Sequence, residues 1–550
     1  MSVPTAELTA EAAAAQRRSH PAAINARPSG ARLYFALAGL ALVVGALSLL
    51  LPSTPSYDPW AWLLWGREIV HLKLQTTGGP SWKPLPVVFT TLFAPFGKAA
   101  PDLWLVVARA GAVMSVAMVF KVCVRLTRQL GALLAGDVDE RAGAEGLTAL
   151  GPALLAGLIA ATGLAFSGGF ISDNGLGYSE GLMTALVLIA VDRHLDGARR
   201  QAFAIGFLAA LDRPEIWLFW GPYGLWLWWK DPEARKLVAA LFVLIPILWF
   251  LPEYWGSGHF LRGVNRAHHP RSNSPAFAKC PFCTELADHA WPTVLLRIKI
   301  FTALAVGAAG LLLWRGQRAR GSWALSTVRE RAQAGVIIAG VLGAAWWVVV
   351  AIMTQAGFSG NNRYLVLGAA LIEIAGGVGW GWLALELGRA LPRYVAPLRS
   401  GGPRAVNSVR WGAVALVAVV FLLLPNWVGN NLIDIQRTHR SLTYQAHLRD
   451  DIAKAVSRAG GPAAVRRCGT VMTEGFQVPM LAWNLGVHTL QVEASPVSAS
   501  APPPPAPNVV FQTRAQRHAH LLPLLRTWPA THYQLVSTVR TFRVYEHCAH

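Results

Sequence analysis

Charge is what this sequence has least of. Only 14% of its 550 residues are Asp, Glu, Lys or Arg, against 53% hydrophobic. That excludes an ordinary soluble globule and makes the bilayer the main solvent. Acidic residues are scarcer than basic ones, 29 against 49, for a formal charge of +20. The basic residues fall in short segments between apolar runs and form no single basic face, which argues against a nucleic-acid partner and for membrane topology. Strict polar/apolar alternation, the mark of a transmembrane barrel, is also missing. Nothing near the N-terminus reads as cleavable, since an Ala-, Arg- and Pro-rich tail leads into Leu33 to Leu51, a run long enough to stay as a span.

What is there is a series of apolar runs reaching to about residue 427, each near the roughly 20 residues that a hydrocarbon core of about 30 Å requires. They predict spans near 33–51, 103–125, 148–166, 180–195, 201–213, 215–229, 236–252, 292–314, 333–354, 363–386 and 409–427. Many of the 23 Trp residues lie at span ends, where an indole straddles lipid and water. The expected fold is an all-α polytopic membrane bundle of about eleven transmembrane helices with a small C-terminal α/β domain.

Loops rich in Lys and Arg stay in the cytoplasm. The clusters at Arg17, Arg18, Arg27 and Arg32, at Arg193, Arg199 and Arg200, from Arg315 to Arg331 and from Arg389 to Arg410 fall on alternate connections. Residues 1–32 are therefore expected to be a cytoplasmic tail and 33–427 the transmembrane domain of a cell-membrane protein. Two larger loops, 52–102 and 253–291, and a domain at 428–550 fall on the extracytoplasmic side. In that last domain Gly469 to Met472 and Phe542 to Tyr545 read as strands, and a Pro-rich connector, Ser500 to Pro507, interrupts them.

Five cysteines are few. Cys468 and Cys548 share the C-terminal domain, where a disulfide bracketing it and two free thiols are both open readings. Cys280 and Cys283 form a CxxC with His268, His269 and His289 nearby. Half a zinc site has that spacing, but an oxidising compartment and the lack of a second CxxC favour a local disulfide.

Several charges sit where local structure only partly accounts for them. Asp58 follows the first span in Ser56-Tyr57-Asp58-Pro59-Trp60. Asp before Pro is ordinary helix-start chemistry, carboxylate at N-cap and proline at N1. It is also the position of a general base at headgroup depth. The helix that follows is amphipathic, with Trp62, Trp65, Ile69 and Leu72 on one side and Arg67, Glu68 and His71 on the other, and is expected to lie in the membrane surface. Lys83, in Trp82-Lys83-Pro84-Leu85-Pro86, reads as a snorkelling anchor or as a rigid cation for a leaving phosphate.

Ser179-Glu180 and Pro214-Glu215 look like helix starts, but Arg213 at a tight turn needs a partner, for which Glu180 and Glu215 are available. In Gly360-Asn361-Asn362-Arg363-Tyr364, Asn362 is a candidate cap. Arg363 and Tyr364 form either an interfacial pair or a phosphate-holding arginine with its neighbour. These charges, far apart in sequence, are all expected on one face of the membrane.

In the order and spacing of these motifs, residues 33 to 390 resemble the GT-C superfamily of membrane glycosyltransferases, in particular the branch with protein O-mannosyltransferases and aminoarabinose transferases. An Asp follows span one, Lys83-Pro84-Leu85-Pro86 is similar to the family's Lys-Pro-Pro-Leu, and Arg109 lies early in span two. Ser179-Glu180 follows, then Leu211-Asp212-Arg213-Pro214-Glu215, similar to a Leu-Thr-Arg-Pro-Glu turn, and finally Arg363-Tyr364.

The resemblance implies a polyprenyl-phosphate sugar donor and an outward-facing site; the expected acceptor is an envelope glycan, lipid or protein, and a single displacement would invert the sugar. The resemblance makes Asp58 the catalytic base and Lys83, Arg363 and Tyr364 the donor-phosphate site, supported by Glu180, Arg213, Glu215, Arg109 and Glu68. Many relatives carry paired acids in the first loop, whereas here Glu68 stands ten residues after Asp58. Some relatives use a divalent metal and others do not, so the cofactor is open. A transporter or flippase of a lipid-linked glycan is the rival, with Glu373 as the one clear deep carboxylate but no obvious internal repeat. A noncatalytic envelope scaffold would leave the aligned charges without a purpose.

Overall fold

The computed structural model describes residues 29–131, 150–270, 274–394, 402–423, 427–496 and 504–548. Arg17, Arg18 and Arg27, part of the segment from Arg389 to Arg410 and the first half of the Pro-rich connector lie outside the described residues.

A bilayer offers a bare backbone no hydrogen-bond partner, so the apolar runs become helices. Among the described residues six stretches are long and apolar enough to cross a membrane: Arg32–Leu50, Pro84–Gly131, Pro232–Ser257, Leu296–Arg320, Val328–Gln355 and Asn362–Leu391. Leu150–Ala165 and Asn407–Leu423 are shorter apolar helices. The chain is a mostly helical, multi-pass membrane protein. These eight coincide with eight of the eleven expected spans. The three expected near 180–195, 201–213 and 215–229 are helices of 16, 12 and 14 residues. At about 1.5 Å per residue they fall short of a core of about 30 Å, so helix length does not establish them as spans.

In chain order the principal helices are α1 Ser29–Leu47, α2 Tyr57–Val70, α3 Pro84–Phe93, α4 Ala100–Gly131, α5 Leu150–Ala165, α6 Phe170–Gly175, α7 Glu180–Leu195, α8 Arg199–Ala210, α9 Trp217–Lys230 and α10 Arg235–Ser257. They continue as α11 Arg262–Ala267, α12 Leu296–Arg320, α13 Val328–Gln355, α14 Val366–Tyr394, α15 Gly402–Leu423, α16 Trp427–Arg458, α17 Gly461–Cys468 and α18 Val478–Leu485.

Helix α14 is the axis of the bundle and packs on α4, α5, α12, α13 and α15. Small residues allow the approach. A Cβ at Gly377 would stand 2.7 Å from the Ala156 carbonyl oxygen, and one at Gly381 2.8 Å from that of Pro152.

The sheet after α16 has β1 Val471–Thr473, β2 Val492–Ala494, β3 Val509–Arg514, β4 Leu521–Leu522, β5 Gln534–Thr538 and β6 Arg543–Glu546. Its order is β2-β1-β3-β6-β5, with β4 beside β3. β1 runs parallel to β2 and β3, while β3/β6 and β5/β6 are antiparallel. Both sequence-read strand runs lie at this sheet, and Cys468 is bonded to Cys548 across it. Cys280 is bonded to Cys283, which takes both thiolates out of the half-zinc reading.

Helix α2 departs from expectation. It does not lie with a polar side open to water, because both of its sides are covered. Trp62 and Trp65 are fully buried, and α3 packs on the helix. The polar side faces α18, where Arg67 donates to the carbonyls of Trp483 and Val487 at 3.2 Å each. Glu68 meets His488 Nδ1 at 2.7 Å. Of the polar stripe, Arg67 and Glu68 meet the C-terminal part of the chain, while His71 and, from the apolar side, Leu72 are exposed.

Candidate active site

The loop containing Lys83 folds back through main-chain contacts. Leu85 N–H donates to the Leu211 carbonyl at 3.1 Å, bringing Lys83 against the Asp212-Arg213 turn. Trp82 Nε1 donates to the Leu248 carbonyl at 3.0 Å. Arg262, from α11, donates to the carbonyls of Thr77 and Gly79 at 3.0 Å each, tying loop 253–291 to loop 52–102.

Asp58 stands in the first turn of α2, not at its N-cap, which is Ser56 and makes no side-chain cap bond. The Asp58 carboxylate instead accepts from Arg363 Nη2 at 2.6 Å, because a full guanidinium charge outweighs the partial charges of helix amides. Capping fails at two other positions for related reasons. Ser179 is the N-cap of α7 without a cap bond, and its hydroxyl accepts from Lys83 Nζ at 3.1 Å. Asn362 lies inside a short turn and its side chain meets His289 Nδ1.

Glu180 gathers the cations. Its Oε1 lies 3.3 Å from Lys83 Nζ, 3.0 Å from Arg213 Nη1 and 3.4 Å from Arg363 Nε. Arg213 therefore has both expected partners, since its Nη2 also donates to Glu215 at 2.6 Å. Aromatic faces support the guanidinium groups: Arg213 lies 3.6 Å from the Tyr364 ring centre and Arg363 3.8 Å from that of Tyr178.

These groups border one cavity of 580 Å³, lined by Asp58, Lys83, Arg213, Glu215, Arg363 and Tyr364 among others. Trp82, Trp217, Trp249, Phe250 and Phe260 give it apolar walls. Cations set in an apolar wall suit an amphiphile that carries an anionic head.

Asp58, Lys83, Glu180, Arg213, Glu215, Arg363 and Tyr364 thus meet in space. Arg109 and Glu68 do not join them. Arg109 donates to the Ser48 carbonyl at 3.0 Å, to Ser53 at 2.9 Å and to the Gly175 carbonyl at 2.7 Å, stitching the end of α1 to α4 and α6. Glu68 sits at the α18 contact, where burial raises its pKa against the opposing hydrogen bonds of Gln75 and His488.

Tyr178 opens the Tyr178-Ser179-Glu180 motif, but the sequence reading gives it no role of its own in the site. Its position directly before Ser179-Glu180 was the available signal. Glu253, also on the cavity wall and 3.8 Å from Arg262, stands at the boundary between an expected span and loop 253–291 and has no role in the sequence reading. Below the Asn361-Asn362-Arg363 turn lies Glu285, whose carboxyl packs so closely that a Cβ on Gly360 would come within 2.1 Å of it. Burial pushes Glu285 up to about 7.

No family model matches the chain, and no curated protein does. Among solved structures it is similar to a crystal structure of ArnT from Cupriavidus metallidurans in the apo state, at 15% sequence identity and a TM-score of 0.41, covering 94% of this chain and 98% of that one.

Proposed function

We propose that the protein is a membrane glycosyltransferase that takes its sugar from a polyprenyl-phosphate donor on the extracytoplasmic face. The observation that carries this reading is the Asp58–Arg363 pair at 2.6 Å on the wall of a cavity that also presents Lys83 and Arg213.

The donor's phosphate lies among Lys83 and Arg363 with its tail along the aromatic wall. As the phosphate engages Arg363, the Asp58 carboxylate is released to face the acceptor. An acceptor oxygen attacks the anomeric carbon and gives its proton to Asp58. The bond from that carbon to the phosphate oxygen breaks, and its electron pair leaves with the polyprenyl phosphate. A single displacement inverts the sugar. Fixed cations favour the step because the charge they oppose is fullest in the transition state.

Asp58→Asn in the full-length protein, reconstituted in nanodiscs with prenyl-phosphate sugars, tests the base. Loss of general-base assistance lowers turnover by about 10²–10⁴-fold. Undiminished transfer removes Asp58 from that role.

One observation favours the transporter reading: Glu373, deep in α14, has no hydrogen-bond partner for either carboxylate oxygen among the described residues. Wild-type protein that moves a lipid-linked sugar across vesicles, yet transfers it to no acceptor, would decide for that alternative.

A further inference from the structure

A second cavity, of 220 Å³, lies beside the first. Its walls come from four places: the start of α2 with Thr54 and Ser56, the α6 turn with Ser172 and Asp173, α16 with Ser441 and Gln445, and the C-terminal part of the chain with Gln477 and Gln516. Tyr57, Tyr178 and Phe476 line both cavities, so these three rings form the partition between them. Tyr57 and Phe476 meet edge to face at 6.5 Å between centroids. Asp58, the next residue after Tyr57, is on the far side of that partition.

The two cavities differ in chemistry. The larger is lined by Lys83, Arg213, Arg266 and Arg363, whereas among the described residues no Lys or Arg lines the smaller. Hydroxyls, three glutamine amides and one carboxyl converge on the smaller cavity, beside aromatic faces. This set matches a ring whose edge is all hydroxyl and whose flat side is C–H, and it offers an anion donors but no lining cation. The volume lies below the roughly 300–1,000 Å³ of drug-sized sites, which suits one sugar ring.

The walls are braced before any ligand arrives. Ser56 Oγ and Tyr178 Oη lie 2.9 Å apart, Gln445 Nε2 donates to the Ala515 carbonyl at 2.8 Å, and Tyr444 Oη donates to that of Arg514 at 3.1 Å. Arg449, also on α16, pairs with Asp102 at 2.7 Å. Burial pushes the Asp173 carboxyl up to about 7 against the pull of Arg363. Near neutral pH it therefore offers both a donor and an acceptor to a hydroxyl.

We propose that this smaller cavity is the acceptor subsite and takes the terminal ring of a neutral glycan, presenting one hydroxyl past Tyr57 and Tyr178 to Asp58. The assignment of the acceptor rests on the transferase reading; the binding of a neutral sugar does not.

Calorimetry of the full-length protein in nanodiscs against mannotriose, galactotriose and arabinotriose, with a Ser/Thr-rich decapeptide alongside, tests it. At least one sugar should bind, and its Kd should rise on the order of tenfold in Asp173→Asn and in Gln445→Ala. Gln516→Ala, at an exposed turn, weakens the same sugar and provides a readout that does not depend on the packing of the other two. Absence of sugar binding, sugar binding unchanged by all three substitutions, or binding of the peptide alone overturns the proposal. Undecaprenyl phosphate titrated into the same nanodiscs reads the larger cavity separately. Sugar binding without lipid-phosphate binding keeps the neutral-sugar pocket and sinks the transferase reading. Lipid-phosphate binding without sugar binding does the reverse.

Discussion

Two of the buried charge clusters among the described residues are held differently. One joins α1, α4 and α7: Asp192, fully buried, accepts from Tyr34, from Lys121 and from Arg125 at 2.9 Å, while Asp196 takes Arg125 at 2.6 Å and Arg193 at 2.8 Å. Both Asp192 oxygens are engaged. In the other, three cations crowd a single oxygen of Glu180 at 3.0–3.4 Å, and Glu180 Oε2 has no hydrogen-bond partner among the described residues. The first cluster is a fastening with its acceptors used up. The second shares Glu180 among three cations at longer range, while Arg363 and Arg213 each keep a closer carboxylate at 2.6 Å, and one Glu180 oxygen stays unengaged beside the cavity where an anion would enter. Burial of charge does not distinguish a site from a strut; how fully each partner is engaged does.

Substitutions that exchange the two roles would break this contrast. Asp192→Asn strands Lys121 and leaves Arg125 with Asp196 alone, and should cost about 3–5 kcal/mol of stability, while the protein that stays folded keeps its transfer rate. An unmoved melting temperature would show that the fastening is dispensable. Arg363→Ala should do the opposite, lowering transfer by about 10²–10³-fold and weakening lipid-phosphate binding with little change in melting temperature. Equal loss of stability in both variants would erase the distinction.

Gly360→Ala sharpens it from a distance. The new methyl overlaps the Glu285 carboxyl and crowds the Thr354 hydroxyl, so either those side chains or the turn bearing Arg363 shift, at a cost of about 1–3 kcal/mol. Donor affinity should fall while Asp192 and its partners are unaffected.

The smallest effect is on pH. With Glu285 raised from 4.5 to about 7, its neutral form is favoured by the native state. That stabilising contribution is complete below about pH 4.5 and lost as pH rises through about 7. Glu285→Gln should flatten the fall in melting temperature over that window, and an unchanged slope would assign the fall to other groups.

Much of this was legible in the sequence because charge is rare in an apolar chain. Asp58, Lys83, Glu180, Arg213, Glu215 and Arg363 stand out against their surroundings, and ion pairing among them follows from the expense of leaving any of them alone in lipid. Arg109 and Glu68 stand out equally and sit elsewhere. Nothing local tells Glu68 that α18 will cover its side of α2, or Arg109 that three loose chain ends will need its donors. The capping readings at Asp58, Ser179 and Asn362 went astray for a related reason. Sequence rules weigh a side chain against its own backbone, whereas here a distant charge or ring nitrogen wins. The smaller cavity was out of reach altogether, since its walls come from four separate segments of the chain.

Helix α14 carries Arg363 and Tyr364 just ahead of its first turn and is gripped by neighbours along its length. Such a helix cannot slide or swivel without repacking the whole bundle, so its guanidinium is a fixed mooring. On the transferase reading the cargo does the travelling. The lipid carrier drifts sideways through the leaflet to a stationary post.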